Sequence, residues 1–255
     1  MVTVVTSYPR HYLKENIEKK KFEEVTEENK IKVIRVKVLP HHKVNFIFRG
    51  IAQLVLPFLL LRKIKKYSTE FDSIIAYSPP LPVGIAGIMA KRRYGATYIV
   101  NLQDIFPQNA IDLGILNNKA LIAFFEWMEQ YVYKGADYLT FHSEGGRKFL
   151  IKKKNIPREK IVMLPNWVEI DAYRNLTKNI SFRTQYGLEG KYIFLFAGIM
   201  GPAQGLEFLT RIAEGVGDIS DIVFLLVGDG MEKQKIEKYV AAHGLKNILI
   251  KPLVS

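Results

Sequence analysis

Short apolar runs alternate with helix-like segments along most of the chain, and this alternation restricts the fold more than any other feature. It predicts an α/β protein in which helices cover mostly parallel sheets. The strand-like runs are Val2–Thr6, Lys32–Leu39, Ser73–Ser78, Thr97–Leu102, Tyr138–Ser143, Lys160–Pro165, Tyr192–Ala197, Ile222–Gly228 and Ile248–Leu253. The helix-like segments are Val44–Tyr67, Ala86–Tyr94, Lys119–Lys134, Glu144–Lys153, Gly205–Glu214 and Met231–His243.

The composition of the sequence changes after residue 165. Residues 166–190 contain few apolar runs and many polar residues, which is typical of a connection with a small helix. A second α/β series then begins. We therefore predict two domains, at residues 1–165 and 191–255, and a length of 255 residues suits two modest domains.

Composition excludes several classes of site. The chain has no cysteine, so it forms no disulfide, thiol nucleophile or cysteine-zinc site. Its five histidines show no paired spacing, and we expect no metal site. A hydrophobic fraction of 48% is sufficient for ordinary packed cores.

The net charge of +12 favours an anionic partner, which leaves nucleic acid, an acidic membrane face and a phosphorylated substrate open. The most lipid-like stretch is 46–61, which is shorter than the ~20 residues of a spanning helix and contains Arg49 and Pro57. The basic segment RKIKK follows it. This stretch fits either a helix resting on an anionic membrane or a buried helix of the sheet. Met1 leads directly into a strand-like run, so we expect no secretory leader.

Ligands of open α/β sheets bind beyond the carboxyl ends of the strands, so the loops at those ends are the candidate sites. Asp104 directly follows a strand, and its carboxylate fits a substrate pocket, a turn or a helix N-cap equally. Pro79 and Pro80 end another strand and fit either a simple stop signal or a rigid cleft wall. Ser143 is best explained as a helix N-cap.

The segment FAGIMGPAQGLE, residues 196–207, joins a strand to a helix through Gly198, Gly201 and Gly205. Its spacing matches neither the dinucleotide fingerprint nor the nucleoside-triphosphate P-loop, and it contains no lysine or arginine. Two interpretations remain, a phosphate site formed by backbone N–H groups at a helix N-terminus and a simple tight turn. A similar segment, VGDGMEKQKIE, reads as structural, with Asp229 as a helix N-cap.

An ordered set of motifs resembles the retaining glycosyltransferases of family 4, which have the GT-B fold of two facing Rossmann-like domains. The motifs span nearly the whole chain and are similar to those of the WbuB-type N-acetylaminosugar transferases of surface-polysaccharide synthesis, including lipopolysaccharide and capsule. They are SPPLPVGIAGIMAKRRYGA, NLQDIFPQNAIDLGIL, FEWMEQYVYKGADYLTFHSEG, IPREKIVMLPNWVEID, FAGIMGPAQGLEFL and LLVGDGMEKQKIE.

The resemblance implies a cytoplasmic enzyme, peripheral at the inner face of the cytoplasmic membrane. It implies transfer of a sugar from a UDP-sugar to a polyprenyl-diphosphate-linked acceptor, with no metal or other cofactor and no nucleic-acid partner. The N-terminal domain then takes the acceptor and the C-terminal domain the nucleotide sugar. Asp104 becomes a candidate catalytic residue. The acceptor-side candidates are Pro79, Pro80, Gln103 and Gln108, and the donor-side candidates are Gly198, Gly201, Gln204, Gly205, Lys251, Pro252 and Leu253.

The chain departs from the family pattern in two ways. Pro202 and Gln204 stand where relatives often place arginine and lysine, so we expect the cation for the donor phosphates to come from elsewhere, in a part of the domain absent here. The run VTVVT resembles the second strand of the fold, and the chain ends before the glutamate-bearing donor motif. We therefore expect a fragment that lacks its first strand, has an incomplete C-terminal domain and is inactive alone. The alternative function is a non-catalytic basic module that binds nucleic acid or an anionic membrane.

Overall fold

The computed structural model of the protein describes residues 1–9, 22–39, 46–174 and 181–252. The chain divides into two compact units, Met1–Trp167 and Val168–Ser255. The predicted end of the first domain at residue 165 lies close to this division. Within the described residues, no helix is long and apolar enough to cross a membrane.

The first unit contains two sheets. In one, β1 (Val2–Ser7) pairs in parallel with β3 (Ile31–Val36), and β2 (Val25–Glu28) pairs with the far side of β3 in the antiparallel direction. The other sheet is wholly parallel, with its strands in chain order. Its strands are β4 (Ser73–Ser78), β5 (Thr97–Leu102), β6 (Tyr138–Phe141) and β7 (Ile161–Met163).

Helices follow the strands of the first unit in the predicted alternation. The helices are α1 (Phe46–Tyr67), α2 (Val83–Tyr94), α3 (Gln108–Asp112), α4 (Lys119–Gly135) and α5 (Glu144–Lys154). Helix α1 packs against β1, β3 and α2, whereas α2 packs against β4 and β5. The main core contains buried side chains of the four-stranded sheet, such as Tyr98, Val100 and Leu139, and of α4, such as Met128 and Val132.

Two helices of this unit begin at side-chain caps. The Oδ1 atom of Asn118 accepts hydrogen bonds from the N–H groups of Ala120 and Leu121 at the start of α4. The Oγ atom of Ser143 accepts one from the N–H group of Gly146 at the start of α5, which confirms the predicted N-cap. Such caps satisfy donors that have no acceptor within the helix.

The second unit is a smaller parallel sheet with helices on both faces. Its strands, in spatial order, are β10 (Ile248–Lys251), β9 (Ile222–Asp229) and β8 (Tyr192–Ile199). Its helices are α6 (Asp171–Arg174), α7 (Ser181–Tyr186), α8 (Leu206–Gly215) and α9 (Lys233–Ala242).

The central strand β9 is buried on both faces, as a parallel strand between two layers of helices requires. Phe224 and Leu226 pack in one cluster with Leu206 of α8 and Ile236 of α9. The neighbouring strand residues pack on the other face with Phe182 and Tyr186 of α7 and with Leu188. Part of the segment interpreted as a connection, residues 182–188, thus packs into the second unit.

Nine predicted strands are confirmed, with ends that differ by a few residues. Strand β2 was not predicted, because three of the four residues in its sequence VTEE are polar and its two glutamates are exposed. Helix α2 begins at Val83, three residues before the predicted start. The predicted strand-like run to Leu253 ends outside the described residues, as does the predicted helix start at Val44.

A buried ion pair joins two helices of the first unit. The Nζ atom of Lys154, near the end of α5, lies 2.8 Å from the Oε2 atom of Glu129 in α4, and both side chains are buried. Burial raises the pKa of Glu129, whereas the ammonium group of Lys154 opposes that rise. Each charge therefore depends on the other, because removal of one leaves the second uncompensated in the interior.

We predict that Lys154→Met destabilises the protein by roughly 3–5 kcal/mol, since it leaves the Glu129 carboxylate buried without a cation. The double variant Glu129→Leu/Lys154→Met removes both charges and should be close to the parent in stability. Urea unfolding followed by circular dichroism measures both effects. A double variant as unstable as the single one would contradict this explanation.

Candidate functional site

The carboxyl ends of β4, β5, β6 and β7 lie along one edge of the four-stranded sheet because these strands are parallel. Backbone hydrogen bonds join the loops that leave this edge. The N–H group of Gln103 donates to the carbonyl of Ser78 over 2.8 Å, and the N–H group of Leu164 donates to that of Phe141 over 2.9 Å. The predicted loops around Pro79 and Asp104 are thus neighbours, as candidate acceptor-side loops must be.

Asp104 lies two residues beyond the end of β5 and is exposed. Helix α3 begins at Gln108, with Pro107 at its N-cap position, so Asp104 does not cap this helix. Within the described part of the chain, its carboxylate forms no hydrogen bond or ion pair. This carboxylate is therefore available to a ligand at the sheet edge, either as a proton acceptor or as a partner for a hydroxyl group.

The other acceptor-side candidates differ in how free their polar groups are. The Nε2 atom of Gln103 donates to the Oδ1 atom of Asn101 over 2.9 Å, which orients this amide at the end of β5. The Nε2 atom of Gln108 donates to the Oδ1 atom of Asp112 over 2.8 Å, within its own helix. The carbonyl of Pro80 accepts from the N–H group of Val83 over 3.0 Å, so this proline turn leads directly into α2.

In the second unit, parallel pairing brings the exits of β8, β9 and β10 to one sheet edge. The predicted phosphate loop leaves β8, passes through a short 3₁₀ turn at Pro202–Gln204 and enters α8 at Leu206. Gly205 has φ of 58°, a left-handed conformation that glycine adopts readily and other residues rarely do. The first N–H groups of α8, which have no acceptor within the helix, therefore emerge directly from this loop.

The end of β9 packs closely against the end of β8 and the loop that follows it. A Cβ atom on Gly228 would lie 1.9 Å from the carbonyl oxygen of Gly198. The N–H group of Met200 donates to the carbonyl of Asp229 over 2.9 Å, and the N–H group of Glu232 donates to the carbonyl of Met200 over 2.9 Å. The two loops therefore pack backbone against backbone, which supports the structural interpretation of VGDGMEKQKIE.

The predicted role of Asp229 as a helix N-cap is wrong. Helix α9 begins at Lys233, its N-cap position is Glu232, and no side chain caps it. The Oδ1 atom of Asp229 instead accepts from the N–H group of Gly230 over 2.9 Å. The chain makes an extra turn before the helix, because the N–H group of Glu232 is already bound by the carbonyl of Met200.

Gln204 is directed towards its own loop. Its Oε1 atom accepts from the N–H group of Gly201 over 3.1 Å. This side chain therefore holds the loop closed and occupies one of the amides that a phosphate group would otherwise meet. A ligand that uses the Gly201 amide must displace this hydrogen bond.

Two cations lie at the first turn of α8, although the loop itself contains none. Glu207, the second residue of the helix, forms ion pairs with Arg211 over 2.8 Å and with Lys235 of α9 over 2.9 Å. These partners lower the pKa of the Glu207 carboxyl, with the Lys235 hydrogen bond as the largest cause. Both cations are paired with the Glu207 carboxylate, so the expectation that the cation for the donor phosphates comes from elsewhere stays a prediction. The sequence alone did not reveal Lys235, because its position depends on how α9 packs on α8.

The last donor-side candidates lie at the exit of β10. Lys251 is the final residue of this strand, and its Nζ atom lies 4.4 Å from the centre of the Tyr186 ring. Pro252 follows and is exposed. Leu253 lies outside the described residues. Lys251 and Pro252 thus share the sheet edge with the glycine loops, and the Tyr186 ring beside Lys251 packs into the core of the unit.

Among residues 1–9, 22–39, 46–174 and 181–252, no group of three histidine, aspartate or glutamate side chains is placed to hold a metal ion.

Residues 1–167 match the family model of the glycosyl transferase 4-like domain. The chain is 26% identical over 189 residues to WcaI of Escherichia coli K12, a candidate colanic acid biosynthesis glycosyl transferase, covering 72% of this chain and 46% of that protein. It is 24% identical over 126 residues to the alpha-D-kanosaminyltransferase of Streptomyces kanamyceticus, and this match covers 48% of this chain and 32% of that protein. The chain thus spans half or less of the length of these two relatives.

Solved structures with the same fold include a sucrose-phosphate synthase from Thermosynechococcus elongatus, with a TM-score of 0.72 at 14% identity. The superposition covers 100% of this chain and 61% of that one. The HepE protein of Anabaena, solved in complex with UDP-glucose, has a TM-score of 0.63 at 15% identity. The superposition covers 88% of this chain and 56% of HepE. These similarities confirm the predicted α/β fold class with parallel sheets.

We predict that Gly228→Ala destabilises the protein by about 2–3 kcal/mol, because the new methyl group meets the carbonyl of Gly198 and forces the ends of β8 and β9 apart. Gly215→Ala is the matched control. It lies at the end of α8, where a Cβ atom meets nothing within 4 Å, and its effect should stay within about 1 kcal/mol. Thermal unfolding compares the variants, and equal losses in both would contradict the proposed loop contact.

Proposed function

Because the chain belongs to the glycosyl transferase 4-like family and has a GT-B-type α/β fold, we propose that the intact protein transfers a sugar from a UDP-sugar to a lipid-linked acceptor. We propose further that the anomeric configuration is retained. One observation supports this function above the others. The loop of residues 198–205 runs from the end of a parallel strand to the N-terminus of α8, whose first N–H groups have no acceptor within the helix.

This loop is proposed to hold the diphosphate of the nucleotide sugar. Cleavage of the sugar–phosphate bond leaves negative charge on the departing diphosphate, and N–H donors aimed at that charge lower the barrier. The N-terminus of α8 adds the positive end of its dipole. Arg211 and Lys235 lie at the same helical turn, where both form ion pairs with Glu207, so a diphosphate would compete with this carboxylate for them. The HepE structure, which contains UDP-glucose, supports a UDP-linked donor for this fold.

The acceptor is proposed to bind at the carboxyl edge of β4 and β5. Asp104 is the candidate catalytic residue here, because its exposed carboxylate can accept a hydrogen bond or a proton from the attacking hydroxyl group. Gln103 lies beside it, and the Pro79–Pro80 turn forms the adjoining wall. No metal or other cofactor is proposed, so the backbone amides and cations at α8 carry the leaving-group stabilisation.

The sugar and the pathway are proposed on narrower grounds. The ordered motifs resemble the WbuB-type N-acetylaminosugar transferases, and WcaI bears a name from colanic acid synthesis. We propose an N-acetylaminosugar donor and a polyprenyl-diphosphate-linked acceptor in surface-polysaccharide synthesis, such as lipopolysaccharide or capsule. Membership of a glycosyltransferase family disfavours the alternative of a non-catalytic basic module.

Transfer of a radiolabelled N-acetylaminosugar from its UDP-donor to membranes that carry the lipid-linked acceptor tests this function. A full-length homologue with these motifs should catalyse it, and replacement of the aspartate at the position of Asp104 by asparagine should lower kcat/KM by roughly 100-fold or more. Asp112→Asn is the matched control, since this carboxylate accepts a hydrogen bond from Gln108 within α3. The 255-residue chain, which spans about half of WcaI, should show no turnover alone.

Absence of transfer from every UDP- and GDP-sugar would overturn the proposed function. Loss of activity in the homologue's Asp112→Asn variant as severe as in the Asp104 variant would instead remove the specific role of Asp104.

The surface of α1 supports a peripheral position at the inner face of the cytoplasmic membrane. Ala52 and Leu60 on one side of this helix are buried in the unit, whereas Ile51, Leu54 and Phe58 on the other side are exposed. The exposed side continues into basic residues, Arg62 and Lys65. An exposed apolar stripe that ends in cations suits a helix lying in the interface of an anionic membrane.

We predict that the chain sediments with vesicles containing phosphatidylglycerol and much less with vesicles of phosphatidylcholine alone. Arg62→Glu/Lys65→Glu should weaken binding to the anionic vesicles roughly 10-fold or more, since each cation near such a surface contributes about 1 kcal/mol. Lys152→Glu/Lys153→Glu changes the net charge equally at the exposed end of α5 and should have a smaller effect. Equal losses from both pairs would show that only net charge matters.

A further inference from the structure

His142 directly follows β6 and lies at the same sheet edge as Asp104. Leu102 of β5 pairs with Phe141 of β6, so Gln103 and His142 leave neighbouring strands at the same level. Adjacent strands of a sheet lie about 5 Å apart. The imidazole ring of His142 therefore belongs to the edge where Gln103 and Asp104 begin the proposed acceptor loop.

Stacking fixes the ring of His142. Its centroid lies 4.6 Å from that of the Phe141 ring, and the two ring planes are 22° apart. Phe141 is itself buried in the main core of the first unit. A Cβ atom on Gly146, in the first turn of α5, would lie 1.9 Å from the Phe141 ring, so glycine at this position leaves room for that ring. Core packing thus sets the orientation of His142.

The two ring nitrogens of His142 have different surroundings. The Nδ1 atom is buried and has no hydrogen-bond partner among the residues that the structure describes. The Nε2 atom is neither buried in this way nor hydrogen-bonded to those residues, so it faces the solvent. Of the two neutral tautomers, the one with its hydrogen on Nε2 leaves no buried N–H group without an acceptor. In this tautomer His142 presents an N–H donor at the sheet edge.

The neighbouring polar groups after β5 offer acceptors. The Nε2 atom of Gln103 is bound to Asn101, whereas its Oε1 atom forms no hydrogen bond within the described chain. The exposed carboxylate of Asp104 is also unpaired there. The edge thus combines one N–H donor with two acceptor groups. Sugar hydroxyl groups suit this combination because each of them both donates and accepts hydrogen bonds.

The charge of the edge favours a neutral sugar ring over a phosphate group. The nearest cation along the chain is Arg147 in α5, and it is paired with Glu144 over 2.9 Å. An anion would therefore meet the Asp104 carboxylate without a free cation from these loops to compensate it. The loops that follow β4, β5 and β6 contain no lysine or arginine at residues 78–82, 103–107 and 142–143.

We propose that His142 binds the acceptor sugar, with its Nε2–H group donating to a hydroxyl group next to the one that faces Asp104. The proposal rests on the transfer reaction proposed above and adds a contact from β6 to an acceptor site otherwise formed by β4 and β5. Because Phe141 fixes the ring, the donor selects sugars that place a hydroxyl group at one position. His142 is therefore a binding and specificity residue, whereas Asp104 is the candidate proton acceptor.

Sugar binding by the chain itself tests this contact. The probes are the methyl glycosides of N-acetylglucosamine, N-acetylgalactosamine, glucose and galactose. Imidazole NMR signals of the labelled chain report binding, and His142→Gln assigns the signal of His142. At least one glycoside should shift this signal in a saturable way and leave the signal of His243 unchanged. His243 is the matched control, because its ring also stacks on an aromatic ring, that of Tyr239, but lies in the second unit.

Absence of saturable His142 shifts with all four glycosides would overturn the proposal, as would equal shifts of His142 and His243. This readout does not depend on turnover. Saturable shifts of His142 together with no transfer by any homologue would overturn the proposed reaction and leave a sugar site without it.

Three replacements separate the hydrogen bond from the stacking in a full-length homologue with histidine at this position. His142→Gln keeps an N–H donor near the place of Nε2, whereas His142→Asn places it near Nδ1 and His142→Phe keeps only a ring. His142→Asn and His142→Phe should raise KM for the acceptor roughly 10-fold, with smaller effects on kcat and on KM for the UDP-sugar. His142→Gln should stay within about 3-fold of the parent.

A role limited to stacking predicts the reverse order, with His142→Phe as the mildest change, and that order would overturn the proposal.

A pair of glycine variants tests the positioning of His142 through Phe141. Gly146→Ala places a methyl group against the Phe141 ring and should weaken glycoside binding roughly 5-fold or more, although His142 itself is kept. Gly145→Ala is the matched control in the same turn of α5, because a Cβ atom there meets nothing within 4 Å. Equal effects of the two variants on binding would contradict the proposed positioning by core packing.

Discussion

Parallel strand pairing is the constraint on which the other features of both units depend. It requires that each connection return the chain to the same end of the sheet, so a helix separates each pair of consecutive parallel strands within the four-stranded sheet and within the second unit. It also gathers the carboxyl ends of β4–β7 along one edge and those of β8–β10 along another. The loops that contain Asp104 and the glycine-rich segment are therefore placed at these edges by the strand pairing, and the Gln204 side chain then closes the second of them.

The same pairing separates the edge strands from the enclosed strands. Among the described residues of the first unit, β1 pairs only with β3 and β4 pairs only with β5, so both are edge strands. In the second unit, β9 has two neighbouring strands and packs against apolar side chains on each face. Strand β9 is therefore buried along most of its length, whereas the edge strand β8 is largely exposed.

Much of the fold was predictable from the sequence, because buried parallel strands are continuous apolar runs and their helices follow at regular spacing. Strand β2 lacked that signal, since it is an exposed edge with two glutamates. The candidate site was predictable to the level of its loops, which must lie where strands end. The contacts within the site were not predictable from the sequence. The hydrogen bond from the Gly201 amide to Gln204 depends on how the loop closes, and the ion pair of Lys235 with Glu207 depends on how the two helices pack. The prediction of Asp229 as a helix N-cap was wrong for the same reason, because the start of α9 depends on how the two loops pack.

The glycine loop after β8 joins the fold to the proposed chemistry, so its affinity for a diphosphate tests the central claim. The most direct measurement is a titration of the isotopically labelled chain with UDP and with uridine, followed by backbone amide chemical shifts. UDP should shift the amides of residues 198–207 in a saturable way and release the Gln204 hydrogen bond from Gly201, whereas uridine should not shift them. Saturable UDP shifts that leave this loop unchanged would contradict the account.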